Sequence, residues 1–213
     1  DLPPMVLLII SFSTFAVGFI ARPLGGVVFG HFGDQVGRKR TLVIALMMMG
    51  AATTLIGLLP TYQSIGIAAP LMLVALRFIQ GLAVGGQWGG AMLLVTESAP
   101  SDKRGWYGAY AQAGAAVGVI LANLAFLAVS TTMSDEAFID WGWRLPFIAS
   151  IVLIGISLYV QLRMEDTEAF KALKAAQAES GEQATVQKSP VLEAIRRYPR
   201  RIMLAAGAFL SVQ

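Results

Sequence analysis

The chain has 213 residues, of which 56% are hydrophobic and 14% charged, and its mean hydropathy is +0.66. A soluble domain carries roughly 25% charged residues; here the apolar residues fall in blocks of the roughly 20 residues needed to cross about 30 Å of hydrocarbon, which excludes an ordinary soluble fold and points to an integral membrane protein. The net charge of +3 does not imply a nucleic-acid partner, because its basic residues are distributed as orientation signals, and the absence of cysteine excludes disulfides and thiolate metal sites.

Predicted elements follow in chain order. The first span runs from about Met5 to Phe29, the second from Thr41 to Leu59, and the third from Leu71 to Val95. A fourth covers Trp106 to Ser130 and a fifth Leu145 to Leu162, and a sixth begins near Ile202. Pro60-Thr61-Tyr62 and Ser134-Asp135-Glu136 are polar breaks. The opening Asp1-Leu2-Pro3-Pro4 lacks a start methionine and the basic region of a signal peptide, and the chain stops partway into an apolar run, so it reads as a piece of a longer protein.

Thirteen of the sixteen Lys and Arg residues lie in three alternate connections, 30–40, 99–105 and 163–201. Of the opposite connections, 60–70 carries none and 131–144 carries only Arg144. The positive-inside rule therefore makes the first group cytoplasmic and places residue 1 outside. Between the fifth and sixth spans, residues 164–201 read as a cytoplasmic linker. Its alanine- and charge-rich run Glu168–Ala176 favours helix, and Val191 to Tyr198 could form a second short helix. Within the spans, Gly26 and Gly30, Gly81 and Gly85, Gly86 and Gly90, and Gly114 and Gly118 stand four apart, a spacing that lets helix backbones approach closely.

Several motifs agree on a family. The Gly30–Arg40 segment, with Gly30, Asp34, Gly37, Arg38 and Lys39 in Gly-x-x-x-Asp-x-x-Gly-Arg-Lys spacing, resembles the loop between helices 2 and 3 of major facilitator transporters. Leu73–Gly81, containing Arg77 and Gln80, resembles the helix-4 signature, and Glu97-Ser98-Ala99-Pro100 with Arg104-Gly105 resembles the motif that closes helix 4. Arg22–Gly26, Gly85–Gly90 and Trp141–Phe147 are similar to the metabolite–proton symporters of that superfamily, whose members move shikimate, 2-oxoglutarate, citrate, or proline and betaine. The family usually has glutamate where this chain has Gln87, and tends to have proline at the position of Glu168.

The resemblance implies an all-α membrane protein with a major facilitator-type bundle. Residues 1–163 would be the N-terminal bundle from helix 2 to helix 6, lacking helix 1. Residues 164–201 would be the inter-bundle linker and 202–213 the start of helix 7. It also implies a cytoplasmic gate formed by Gly30, Gly33, Asp34, Gly37, Arg38, Glu97 and Arg104, with the aspartate facing a helix N-terminus in the second bundle.

Other residues are candidates for a solute or proton pathway. Arg77 lies inside an apolar span, where a guanidinium costs about 2.5–3.5 kcal/mol on insertion scales unless it faces a cavity or partner. At about 100° per residue Arg77, Gln80, Gly81, Val84 and Trp88 share a broad face with Gln87 at its edge; snorkelling of Arg77 to the surface is the alternative. Arg22 shares a face with Ser11, Thr14, Gly18 and Gly25, and its place near the cytoplasmic end leaves snorkelling equally open. Gln112 is a candidate solute contact and Asn123, on the same face, a helix-packing residue. His31, the only histidine, reads as an interfacial loop residue rather than a proton relay. Trp141, Trp143 and Arg144 fit an aromatic belt anchoring the outer end of a span.

An intramembrane enzyme is disfavoured, since the sole histidine lies in a loop at one surface and no His/Cys cluster offers a metal site. The expectation is a proton-coupled symporter of a small organic acid or betaine-like zwitterion, working by alternating access in a bacterial inner membrane. Its coupling ion is a proton and no cofactor is expected; when complete it should act as a monomer in the lipid bilayer. A non-transporting sensor or degenerate carrier is the alternative.

Overall fold

The computed structural model describes residues 4–163 and Arg197. The chain separates into two compact units, Asp1–Phe170 and Lys171–Gln213, and the architecture below is that of the first. The expected linker and sixth span, including Glu168, lie outside the described residues.

The described residues are helical almost throughout: α1 is Pro4–Val36, α2 Arg38–Leu58, α3 Tyr62–Ile65, α4 Ala68–Ser98 and α5 Arg104–Thr132. After α5 come α6 (Asp135–Ala137), a π-helical turn (Phe138–Gly142), α7 (Arg144–Ile148) and α8 (Ile151–Arg163). Five stretches are long and apolar enough to cross a membrane: Phe12–Gly33, Lys39–Leu58, Ala68–Ser98, Arg104–Thr132 and the composite Asp135–Tyr159. Large apolar side chains on their outer faces, such as Phe12, Ile20 and Leu121, are exposed. That pattern suits a bundle whose surrounding solvent is lipid.

Three expectations need correction. The predicted loop at 30–40 is largely helix. α1 continues through His31 and Asp34 to Val36, and the chain reverses at Gly37 alone before α2 starts at Arg38. Polarity had suggested a loop, but none of these side chains bars the helical backbone. Gly37 breaks it with φ 108° and ψ 143°, and its carbonyl oxygen accepts from both the amide and the hydroxyl of Thr41. A side chain is strongly disfavoured at that backbone conformation, so Gly37→Ala should lower stability by about 1–3 kcal/mol, measurable as reversible unfolding in detergent; an unchanged midpoint would contradict the assignment.

Second, the predicted polar connection at 131–144 is mostly helical, begun by Ser134, whose hydroxyl oxygen accepts from the Ala137 amide at 3.4 Å. Third, the fifth span is not one straight helix. At Ala149–Ser150 the bonding tightens to i→i−3, with Ser150 N donating to Phe147 O and Val152 N to Ala149 O, both at 3.1 Å.

The most extensive contact is between α1 and α4. Successive neighbours rise together in both helices: Gly18 with Gly81, Arg22 with Gly85, Phe29 with Gly86. The two helices therefore run in the same direction, and the Gly37 reversal and the α4–α5 connection lie at the same end of the bundle. Small residues make the approach possible. A Cβ on Gly25 would fall on the Leu82 carbonyl oxygen, one on Gly81 on that of Gly18, and one on Gly85 on that of Arg22. On its other side α2 packs against α7 and α8 through Gly57, beside Phe147, and Gly50, beside Ile154. The predicted packing role thus holds for Gly81, Gly85 and Gly86, and Gly26 makes an ordinary 3.8 Å approach to the Gly85 carbonyl. It is not made at Gly30, Gly90, Gly114 or Gly118, where a Cβ would meet nothing within 4 Å among the described residues.

Candidate functional site

Where α1, α2 and α4 converge they leave a cavity of about 170 Å³, lined by Phe15, Gly18, Phe19, Arg22, Met49, Arg77, Gln80, Gly81 and Val84. α1 contributes 15, 18, 19 and 22, an i, i+3, i+4, i+7 set that places four residues on one helix face. Its Arg22 stands 14 residues before the end of α1, which runs seven residues past the predicted limit at Phe29. Pro23 follows it. Lacking an N–H, Pro23 also leaves the Phe19 carbonyl without its i+4 donor.

Both arginines stack on aromatic faces. The Arg22 guanidinium carbon lies 4.0 Å from the Phe19 ring centroid, and that of Arg77 lies 4.8 Å from the Phe15 centroid. Arg77 Nη1 donates to Gln80 Oε1 at 3.1 Å, Gln80 Nε2 donates to Thr53 Oγ1 at 2.6 Å, and Thr53 Oγ1 donates to Met49 O at 2.7 Å. Arg77 Nε is buried and has no hydrogen-bond partner among the described residues. No carboxylate among the described residues lines the cavity, so the exposed Arg22 and the half-buried Arg77 both line an aromatic pocket with donor capacity to spare.

The cavity brings Arg77, Gln80, Gly81 and Val84 together as one face, and adds Arg22. It does not include the other pathway candidates. Gln87 and Trp88 lie further along α4, some 15 Å from Arg77 at 1.5 Å per residue, and Trp88 is exposed. Gln112 is exposed on α5. Asn123, expected to pack between helices, donates to Val119 O of its own helix at 2.8 Å and borders an open apolar groove. Thr53, Phe15, Phe19 and Met49 were not anticipated. The i, i+3, i+4, i+7 pattern would have flagged the phenylalanines had aromatic as well as polar residues been followed around α1.

Of the gate candidates, Gly30 and Gly33 line a smaller cleft with Thr41, Gly85, Gly86, Gly89 and Gly90 near the Gly37 end. Glu97 is half-buried near the end of α4, and Arg104, exposed, begins α5. The Asp34 and Arg38 side chains lie outside the described residues. His31 is half-buried in α1 rather than in a loop, with its ring edge-on to Phe32 at 6.2 Å. At the opposite end, Arg144 Nη1 donates to Asp140 O at 2.8 Å and Nη2 to Leu59 O at 3.3 Å. The same guanidinium covers the Trp143 ring, which meets Phe147 edge-on, while Trp141 is exposed. This cluster ties the end of α2 to the π-helical turn.

The sequence profile of the sugar (and other) transporter family matches residues 4–201. The chain belongs to this family, within the major facilitator superfamily. The family is one of transporters rather than enzymes. The chain is 48% identical over 202 residues to the shikimate transporter of Escherichia coli K12, an alignment spanning 95% of this chain and 43% of that protein. It is 54% identical over 166 residues to the inner membrane metabolite transport protein YhjE of the same organism, covering 78% and 38%. With the E. coli K12 proline/betaine transporter it shares 36% identity over 211 residues, 98% and 42% of the two chains. The chain thus spans less than half the length of these relatives. Among solved structures, the proton:xylose symporter XylE bound to 6-bromo-6-deoxy-D-glucose superimposes with a TM-score of 0.74 at 16% identity, over 97% of this chain and 48% of that one. At that identity the likeness establishes the fold: a multi-pass helical bundle of the major facilitator type.

Proposed function

We propose that this chain is the N-terminal bundle of a proton-coupled symporter for a small organic acid, and that Arg77 and Arg22 receive the solute carboxylate. The observation that carries this reading is the cavity between α1, α2 and α4, with two guanidinium groups and no lining carboxylate among the described residues. A carboxylate offers both arginines ion-pair hydrogen bonds, which the amide oxygen of Gln80 does not supply. A zwitterion fits less well, because its ammonium would meet two positive charges.

Transport follows from alternating access about a site near the membrane midplane. Residues 164–201 would link this bundle to a second one, starting near 202, and basic segments such as Arg38–Arg40 would face the cytoplasm of a bacterial inner membrane. The Gly37 reversal, with Asp34, Arg38, Glu97 and Arg104 at the same end, would form this bundle's part of the cytoplasmic gate. Coupling requires that a proton change the relative stability of inward- and outward-facing forms. The reading is supported by the similarity to the shikimate transporter and by the fold shared with a proton:xylose symporter.

The test is uptake of radiolabelled shikimate into cells expressing the gene that encodes this chain. Uptake should rise with an inward proton gradient, collapse with a protonophore, and resist a hundredfold excess of glycine betaine. Protonophore-insensitive uptake would exclude proton coupling, and preferential uptake of betaine would exclude the organic-acid assignment.

A further inference from the structure

Thr53 has no hydrogen bond to either arginine among the described residues, yet it ends a chain of hydrogen bonds that begins at Arg77. We infer that Thr53 and Gln80 are positioning residues that hold the Arg77 guanidinium toward the solute, an inference that rests on the organic-acid reading above. The direction of every bond in the chain is fixed by chemistry. The Thr53 hydroxyl lies 2.7 Å from Met49 O, a carbonyl that can only accept, so its single proton is committed there. Its oxygen must then accept from Gln80, which sets the Gln80 amide nitrogen toward Thr53 at 2.6 Å. The amide oxygen is thereby turned toward Arg77 Nη1, at 3.1 Å.

A glutamine side chain alone could present either end of its amide to an arginine, and only the oxygen end can accept. The threonine removes that ambiguity from α2, across a helix interface. Gly81 and the Gly18 carbonyl bring α4 against α1, so Arg77 is held from both sides: Phe15 beneath the guanidinium plane and Gln80 at its edge. Thr53, Gln80 and Arg77 are each half-buried, where hydrogen bonds are less easily replaced by water. One Nη1 bond is used in holding the group, and the remaining Nη donors are left for an anion.

A positioning role predicts a change in affinity more than in turnover. Thr53→Val removes the acceptor while keeping the shape, and should raise the KM for shikimate roughly three- to tenfold with maximal uptake within about twofold. Thr53→Ser restores the hydroxyl and should restore KM. In an Arg77→Gln background Thr53→Val should add nothing further to KM. A second readout does not depend on transport. In purified protein labelled with 15N-arginine, the Arg77 Nη signals, identified by their loss in Arg77→Lys, should be separate in the native chain and Thr53→Ser, and averaged in Thr53→Val. Unchanged Nη signals in Thr53→Val would overturn the relay. Signals that average as expected while neither Arg77→Gln nor Thr53→Val alters shikimate uptake would confirm the relay and overturn the organic-acid reading instead. An equal KM increase in Thr53→Ser and Thr53→Val would assign Thr53 a packing role and overturn the positioning role.

Discussion

Gly85→Leu should abolish accumulation of folded protein, and even Gly85→Ala should destabilise it, whereas Gly155→Ala should be neutral or stabilising. The chemical change in the two alanine variants is identical and their surroundings are not. A Cβ at Gly85 would fall on the Arg22 carbonyl oxygen and 2.8 Å from the Gly26 nitrogen, both backbone atoms that no rotamer change can move. One at Gly155 would meet nothing within 4 Å among the described residues. Overpacking a close contact costs about 1–3 kcal/mol even where side chains can adjust; here α1 and α4 must separate, and their interface is the largest in the unit. Between helices in lipid no hydrophobic effect compensates for lost backbone contact. Replacing glycine by alanine in an open helical position gains about 0.5–1 kcal/mol. Monodisperse yield and the unfolding midpoint in detergent should therefore move in opposite directions for the two variants. Parallel shifts would refute the assignment of α1–α4 as the rigid centre of the unit.

That interface was half legible in the sequence. Gly81 and Gly85 announced a close approach by spacing alone, but so did Gly114 and Gly118, which face open space among the described residues. Spacing records that a helix can be approached, not that a neighbour is present. Gly50 and Gly57, seven apart, also pack closely, against side chains of α8 and α7, and carried no such spacing signal. The spans themselves were readable because lipid imposes length and apolarity on each. Their ends were less so: polarity suggested a loop at 30–40, whereas the backbone stays helical until a residue with positive φ breaks it. For the site, one-helix periodicity correctly grouped Arg77 with Gln80, Gly81 and Val84, because that grouping is local. Thr53, 27 residues from Gln80 in sequence, carries no local mark of its partner. The same limit applies to Arg22, whose pairing with Arg77 around one cavity depends on the registry of α1 against α4.

Arg77→Gln should lower shikimate kcat/KM about 10- to 100-fold, the range expected for losing charge-assisted hydrogen bonds of about 1.5–3 kcal/mol to an anion. Its effect on folding should be opposite or absent. Placing an arginine within a membrane span costs about 2.5–3.5 kcal/mol, and here the guanidinium gains one hydrogen bond and one aromatic face while Nε stays unsatisfied. The neutral amide removes that burden, so protein level and unfolding midpoint should hold or rise as uptake falls. A residue kept for packing would show the reverse coupling, with uptake lost in proportion to folded protein. Gln80→Glu sharpens the distinction. It leaves Arg77 in place but sets a carboxylate at the 3.1 Å position now held by the amide oxygen. An ion pair there would satisfy Arg77 and occupy it, so uptake should fall about as far as in Arg77→Gln without loss of the arginine. Full activity in Gln80→Glu would mean that the Arg77 charge is not what the solute meets.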